Sequence, residues 1–205
     1  MIYLLELARD YLNKHTNFHV FSGIISPVSD LYPTSKKLVS AKHRCEMVKR
    51  ALVPFKGEQH WVKVCTWESE QDAWFRTCRV LKYQIELHKK NNENICVKLL
   101  CGSDLFETFN VPNLWADEDI EFLCKNGMIV ITRDGYDPFK TLNESEKSSI
   151  LLKYKVVLTL CLNNYNLNFY YDRTALILFM KKCIMQSVQL LLGNKNFCMK
   201  KEIID

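Results

Sequence analysis

The sequence predicts an α/β fold built on a parallel sheet. Three observations point there. Short β-rich runs alternate with helical periods along the first two-thirds of the chain, a pattern that forces crossover connections between parallel strands. A length of 205 residues suits one sizeable domain and hardly two. Hydrophobic residues at 48% and charged residues at 25% match globular averages rather than disorder.

The elements follow in order. Residues Ile2 to Asn13 carry Leu4, Leu5, Ala8, Tyr11 and Leu12 at helical spacing. Phe18 to Ile25 is a β-rich run stopped by Ser26-Pro27. Ser40 is placed to cap a helix from Ala41 to about Val53, which Pro54 ends. Trp61 to Cys65 reads as a second strand and Gln71 to about Lys90 as a long helix, followed by a loop at Asn91, Asn92 and Asn94. Cys96 to Cys101 is a third strand, leading into Gly102-Ser103-Asp104 and a short helix. Asp117 to Lys125 is a helix stopped by Gly127, and Met128 to Thr132 a fourth strand. From about Lys155 glycine and proline nearly vanish; Val156 to Leu162 reads as a strand and Thr174 to Leu192 as a helix apolar on almost every face.

Charge and cysteine usage narrow the function classes. A net charge of +5 suits a phosphate-bearing ligand but is too mild to argue for nucleic acid, and the basic residues come in scattered pairs such as Lys49-Arg50 and Lys89-Lys90. The nine cysteines include no Cys-x-x-Cys pair, which speaks against a zinc site and against a secreted disulfide framework. Glu6, Arg9 and Asp10 interrupt the apolar residues near the start, unlike a signal peptide, and no run is long and apolar enough for a membrane span. The expected setting is a reducing intracellular compartment, nucleus or cytoplasm.

In parallel sheets, ligands sit beyond the carboxyl ends of the strands. Gly102-Ser103-Asp104 falls at such an end, where glycine permits close approach and an acid can take both hydroxyls of a ribose; Asp104 also reads as a helix N-cap. Trp74 and Thr77 lie three apart on the expected helix, suiting an aromatic amide through stacking and a hydrogen bond, or else forming a core tryptophan beside a surface threonine. Trp115 stands in the loop Pro112-Asn113-Leu114-Trp115, facing a ligand or stapling the next helix. Arg133 follows the fourth strand, within reach of a phosphate or in solvent. His43 sits among charges as a surface histidine, and no nucleophile–histidine arrangement is evident.

Taken together these segments form a known pattern. Ile24-Ile25-Ser26-Pro27-Val28, Asp30-x-Tyr32, His43-Arg44, Trp67-Glu68-Ser69-x-Gln71, Lys98-Leu99-Leu100-Cys101-Gly102-Ser103-Asp104 and Val111-Pro112-Asn113-Leu114-Trp115 appear in that order. In this the chain closely resembles the animal nicotinamide (nicotinic acid) mononucleotide adenylyltransferases, from about Met1 to Glu146. The resemblance implies a Rossmann-like nucleotidyltransferase domain over residues 1–146, followed by a divergent tail over 147–205. It implies attack of the mononucleotide phosphate on the α-phosphorus of ATP, with Mg2+ accompanying the nucleotide and pyrophosphate leaving. Residue by residue, Trp74, Thr77, Leu114 and Trp115 match the contacts to the nicotinamide ring, Gly102 and Asp104 the nucleotide ribose contacts, Arg133 a binding arginine, and Lys36 the phosphate-contacting lysine.

Two of the family's features have no match here: a first strand followed by a glycine- and asparagine-containing loop ending in histidine, and a late Ser-Ser/Thr-x-Ile-Arg-type motif. Both grip phosphates, and phosphoryl transfer depends chiefly on positioning and charge stabilisation. The resemblance therefore implies an enzyme of NAD biosynthesis read here in truncated form, with no detectable turnover expected. The alternative is a non-catalytic variant that binds the mononucleotide or serves as a scaffold, pairing with other copies. A sheet lacking its usual first strand leaves Phe18–Ile25 and Cys96–Cys101 each short of a neighbour. The tail stretch Val156–Leu162 either fills that gap or extends the sheet at its far side, and a marginally stable, aggregation-prone chain is expected, with two exposed inner edges or a tail strand in the slot.

Overall fold

A computed structural model of the chain describes residues 2–33, 37–53, 61–90, 95–132, 135–144, 146–153, 157–160 and 185–194. Helix α1 (Ile2–His15) leads into strand β1 (Phe18–Pro27), helix α2 (Ala41–Leu52) and strand β2 (Val62–Val64). A 3-10 turn at Glu68–Glu70 precedes helix α3 (Thr77–Lys89), strand β3 (Cys96–Gly102) and helix α4 (Ser103–Glu107). After a second 3-10 turn at Thr108–Asn110 come α5 (Asp117–Asn126), β4 (Met128–Ile131), α6 (Pro138–Glu144), α7 (Ser148–Lys153), β5 (Val157–Leu160) and β6 (Met185–Asn194).

The six strands form one sheet in the order β2-β1-β6-β3-β4-β5. β2 runs parallel to β1, and β4 and β5 run parallel to β3. β6 is antiparallel to both β1 and β3, so the other five strands all point the same way.

The side-chain period of two sorts the sheet's residues onto two faces. Val20, Ile25, Leu100, Ile129, Ile131 and Leu190 join one core with Leu5, Ala8 and Leu12 of α1 and Val48 and Ala51 of α2. Ile24, Val97, Leu99, Cys101, Met128 and Val130 face the other core, with Leu81 of α3, Ile120, Leu123 and Cys124 of α5, and Phe106 and Phe109. Covered on both faces, β4 is buried at every position of Met-Ile-Val-Ile, as central parallel strands require. Helix ends follow local chemistry. Ser40 accepts a hydrogen bond from the His43 amide to start α2. α5 opens on Asp117, Glu118 and Asp119, carries Lys125 in its last turn, and stops at Gly127 with φ 94°.

Most expected elements appear within a few residues of their sequence bounds. One differs in length: α3 starts at Thr77, not Gln71, because residues 71–76 form a bend and an extended lead-in. Trp74 and Thr77 therefore do not share a helical face. A second difference concerns the tail. Of the helix expected over Thr174–Leu192, residues 174–184 lie outside the described residues, and Met185–Leu192 belong to a strand. The tail does fill the gap beside β1 and β3, but through β6. β5, within the stretch Val156–Leu162, sits at the far edge on β4.

β6 carries pairings with β1 from Phe18↔Asn194 to Pro27↔Met185 and with β3 from Cys96↔Leu192 to Leu100↔Val188. Register shifts flank Phe21 and separate Ser26 from Pro27. Phe21, passed over by the ladder, is exposed between buried Val20 and Ser22. Leu190 is fully buried in the core that α1 and α2 cover. Leu190→Ala is expected to cost about 2–5 kcal/mol, read as a lower midpoint in denaturant unfolding; an unchanged midpoint would show that β6 is not the central strand in solution.

Candidate functional site

Because β1, β2 and β3 run parallel, the loops that follow them leave the sheet at the same edge. The first of these loops is held by Arg44. Its guanidinium, fully buried, donates from Nη2 to the Val28 carbonyl at 2.5 Å and from Nη1 to Asp30 Oδ1 at 2.9 Å and to the Val39 carbonyl. Asp30 Oδ1 also accepts from the Ala41 amide at 2.7 Å, so one carboxylate ties the loop to the start of α2. Asp30 and Arg44, matched at first only as motif positions, are thus the clamp on this loop.

Beneath the clamp lies Glu68, also fully buried, whose Oε2 accepts from Ser26 Oγ at 2.6 Å. Burial pushes its carboxyl up to about 7, a rise that the Ser26 hydrogen bond and the Arg44 charge only partly offset. Among the described residues, Glu68 Oε1 and Arg44 Nε lack hydrogen-bond partners.

The rest of Trp67-Glu68-Ser69-x-Gln71 shapes the second loop. The Trp67 ring stacks on Tyr83 at 4.0 Å and on Phe75 at 5.5 Å. Ser69 Oγ donates to the Thr66 carbonyl, and Gln71 Nε2 to the Trp67 carbonyl. These contacts fix the lead-in to α3, where Trp74 meets Tyr32 of the first loop edge-on at 5.8 Å. Tyr32 is therefore a neighbour of the site that residue-level reading left without a role; its signal was its place in Asp30-x-Tyr32. Trp74 also walls a cavity of about 550 Å3 between α3 and α5. Thr77 opens α3 at 5% exposure, on the helix side that buries Val80, Leu81 and Gln84.

The third loop begins where β3 ends. Gly102 caps α4 with φ −86° and ψ 161°, a conformation open to any residue, so backbone strain does not require glycine here. Ser103 is buried, and Asp104 stands half-buried in the first turn of α4. Asp104 is not the N-cap; that position is Gly102. Trp115 donates from Nε1 to Thr108 Oγ1 at 2.9 Å and packs edge-on against Phe109 at 5.0 Å. The turn before it holds Asn113 at φ 61°, a left-handed position that asparagine tolerates, and leaves Leu114 57% exposed. The candidates thus form two groups on one edge: Trp74 with Tyr32, and Gly102, Asp104, Leu114 and Trp115 along the segment after β3. Lys36 and Arg133 lie outside the described residues. Between the two groups the edge is met by the start of β6, where Met185 pairs with Pro27.

A sheet of five parallel strands and one antiparallel strand, covered on both faces and with loops gathered at the carboxyl edge of the parallel strands, is the setting of a nucleotide-binding α/β domain. The cytidylyltransferase-like family model matches residues 2–166, and the chain belongs to that family. Its sequence is similar to nicotinamide-nucleotide adenylyltransferase of Drosophila melanogaster, 36% identical over 188 residues, covering 78% of this chain and 46% of that protein. Nicotinamide/nicotinic acid mononucleotide adenylyltransferase 1 of Bos taurus is 37% identical, over 70% of this chain and 63% of its own length. The Arabidopsis thaliana nicotinamide/nicotinic acid mononucleotide adenylyltransferase is 38% identical over 65% of this chain and 56% of its own. The chain therefore spans about half to two-thirds of the length of these relatives. No helix among the described residues is long and apolar enough to cross a membrane.

Glu68 makes stability depend on pH. Between the ordinary carboxylate value of 4.5 and about 7 the native state holds a proton that the unfolded chain has lost, so stability falls as pH rises through that window. The loss is on the order of 3 kcal/mol. Glu68→Gln keeps an acceptor for Ser26 without the charge and is expected to flatten this dependence; an equal slope in both proteins, followed by thermal melts from pH 4.5 to 7.5, would contradict the assignment.

Proposed function

We propose that this protein is a nicotinamide/nicotinic acid mononucleotide adenylyltransferase of NAD biosynthesis. The mononucleotide phosphate forms a new bond to the α-phosphorus of ATP, the bond to the β-phosphate oxygen breaks, and pyrophosphate leaves as the dinucleotide forms. Bound with ATP, Mg2+ would supply charge neutralisation for the leaving pyrophosphate. The observation that carries the reading is that Ser-Pro-Val and Gly-Ser-Asp straddle the ends of β1 and β3 and Trp-Glu-Ser follows β2, three parallel strands that end on one edge of the sheet, while Pro-Asn-Leu-Trp lies in the segment between β3 and α5. The names of the similar proteins agree with it.

In this reading Trp74, Thr77, Leu114 and Trp115 receive the pyridine ring, Gly102 and Asp104 the ribose of the nucleotide, and Lys36 and Arg133 the phosphates. Gly102 lets the backbone approach, and Asp104 accepts from ribose hydroxyls; these interactions orient the reactants, which is most of what phosphoryl transfer asks of a protein. The edge between β1 and β3 is supplied by the N-terminal end of an antiparallel strand. A helix N-terminus following a parallel strand would aim more N–H groups at phosphate.

Sequence alone leads to an expectation of no turnover. With β6 completing the sheet between β1 and β3, nicotinamide mononucleotide, ATP and Mg2+ are instead expected to yield NAD and pyrophosphate in equal amounts but slowly, below the roughly 1 per second at which ordinary enzymes turn over. Asp104→Ala is expected to lower the rate at least tenfold, about the loss of one charge-assisted contact. NAD production followed by a coupled dehydrogenase checks both. No product, together with no mononucleotide binding by titration calorimetry, would overturn the function.

A further inference from the structure

The segment between β3 and α5 holds an indole from two sides. Trp115, half-buried, packs edge-on against Phe109 at 5.0 Å. Phe109, itself 1% exposed, packs edge-on against the fully buried Phe106 at 5.5 Å. Apolar burial is non-directional, so this contact restrains where the indole sits more than how it is turned. The direction comes from the other side, where Nε1 donates to Thr108 Oγ1 at 2.9 Å. Such a bond weakens steeply when the donor is turned off line.

The Thr108 hydroxyl is prepared for this partner. Thr108 ends α4 and opens the 3-10 turn that follows. A hydroxyl carries one proton and two lone pairs. Here the proton goes to the Leu105 carbonyl at 2.5 Å, so lone pairs remain for Trp115, and an indole N–H can only donate. The Leu105 carbonyl also accepts from the Thr108 amide. The helix end therefore keeps a backbone hydrogen bond without the hydroxyl, whereas the indole loses its partner. Asp104 lies one turn earlier in the same short helix, so the carboxylate and the anchor of the indole belong to one unit.

We propose that Thr108 is a positioning residue for the pyridine ring: its hydroxyl holds the Trp115 indole in the orientation that receives the ring of the mononucleotide. This rests on the reading of Trp115 as a wall of the ring site. Aromatic pairs have preferred relative tilts. An indole turned correctly beforehand spares the ordering that binding otherwise demands, and one left free to turn loses affinity.

Titration calorimetry of the whole chain with nicotinamide mononucleotide and, separately, with ATP tests it. The variants are Thr108→Val, Thr108→Ser, Trp115→Phe, Trp115→Ala and the double change Thr108→Val with Trp115→Phe, with circular dichroism confirming that each folds. Thr108→Val is expected to weaken mononucleotide binding about three- to tenfold, the worth of one neutral hydrogen bond, and to leave ATP binding unchanged. Thr108→Ser keeps the hydroxyl and behaves as the unaltered chain. Phenylalanine has no N–H to hold, so Thr108→Val adds nothing in the Trp115→Phe background. Where the valine variant does not fold, Thr108→Ala carries the same expectations. Unchanged mononucleotide affinity in Thr108→Val, or a loss that persists in full in the Trp115→Phe background, overturns the role of Thr108 and leaves the site reading intact. Equal losses for ATP and the mononucleotide overturn it too, because a residue that merely supports the turn weakens both. Mononucleotide binding that survives Trp115→Ala undiminished, or that is absent from the unaltered chain, overturns the reading of the site and the proposal with it.

Discussion

β1 and β3 each present a row of backbone N–H and C=O groups to the strip between them, deep inside a sheet covered by helices on both faces. Water cannot reach that strip, so each group left unpaired would cost roughly 1–3 kcal/mol against a total stability of about 5–15 kcal/mol. β6 meets this requirement on both sides at once. It does so antiparallel, which asks nothing of its neighbours but a compatible register, and it brings Leu190 into the core beneath α1. The mutual placement of the loops after β1 and β3, and so of the two halves of the candidate site, depends on this one strand.

The edge itself depends on buried charge. Arg44 and Glu68 are both fully buried near this edge, each satisfied on one side and short of a partner on the other. Removing a single member of such a network strands the others in a medium that penalises lone charges, whereas exposed pairs such as Arg50–Glu46 matter little. The residues most costly to alter near the site are therefore not those that face a ligand.

Local signals carried most of the fold. Ser40 before an apolar period, Gly127 after one, and the buried run at Met128 marked their elements, because cap and pattern act within a few residues. The lead-in to α3 was not legible: residues 71–76 have helical composition, but the Trp67 sandwich between Phe75 and Tyr83 holds them off the helix. Met185–Asn194 was misread for a related reason. Its apolar residues Val188, Leu190, Leu191 and Leu192 fit a helix as readily as a strand, and pairing with residues far away in sequence decides. For the site, Trp74, Gly102, Asp104 and Trp115 were readable as motif positions, whereas Tyr32, Arg44 and Glu68 acquire their parts only when β1 and the Trp67 loop meet in space.

The position of β6 also governs when this protein can fold. Phe18 pairs with Asn194, so the centre of the sheet joins opposite ends of the described chain. Pairing over such separations demands a large loop-closure entropy before any contact rewards it, which slows folding and raises contact order. During synthesis at roughly 5–20 residues per second, β1 and the β3–β4 unit emerge with their inner edges bare and must wait for β6 to leave the ribosome. For that interval the growing chain offers two unpaired strands to its surroundings, which makes chaperone cover at this stage a matter of topology and not of final stability.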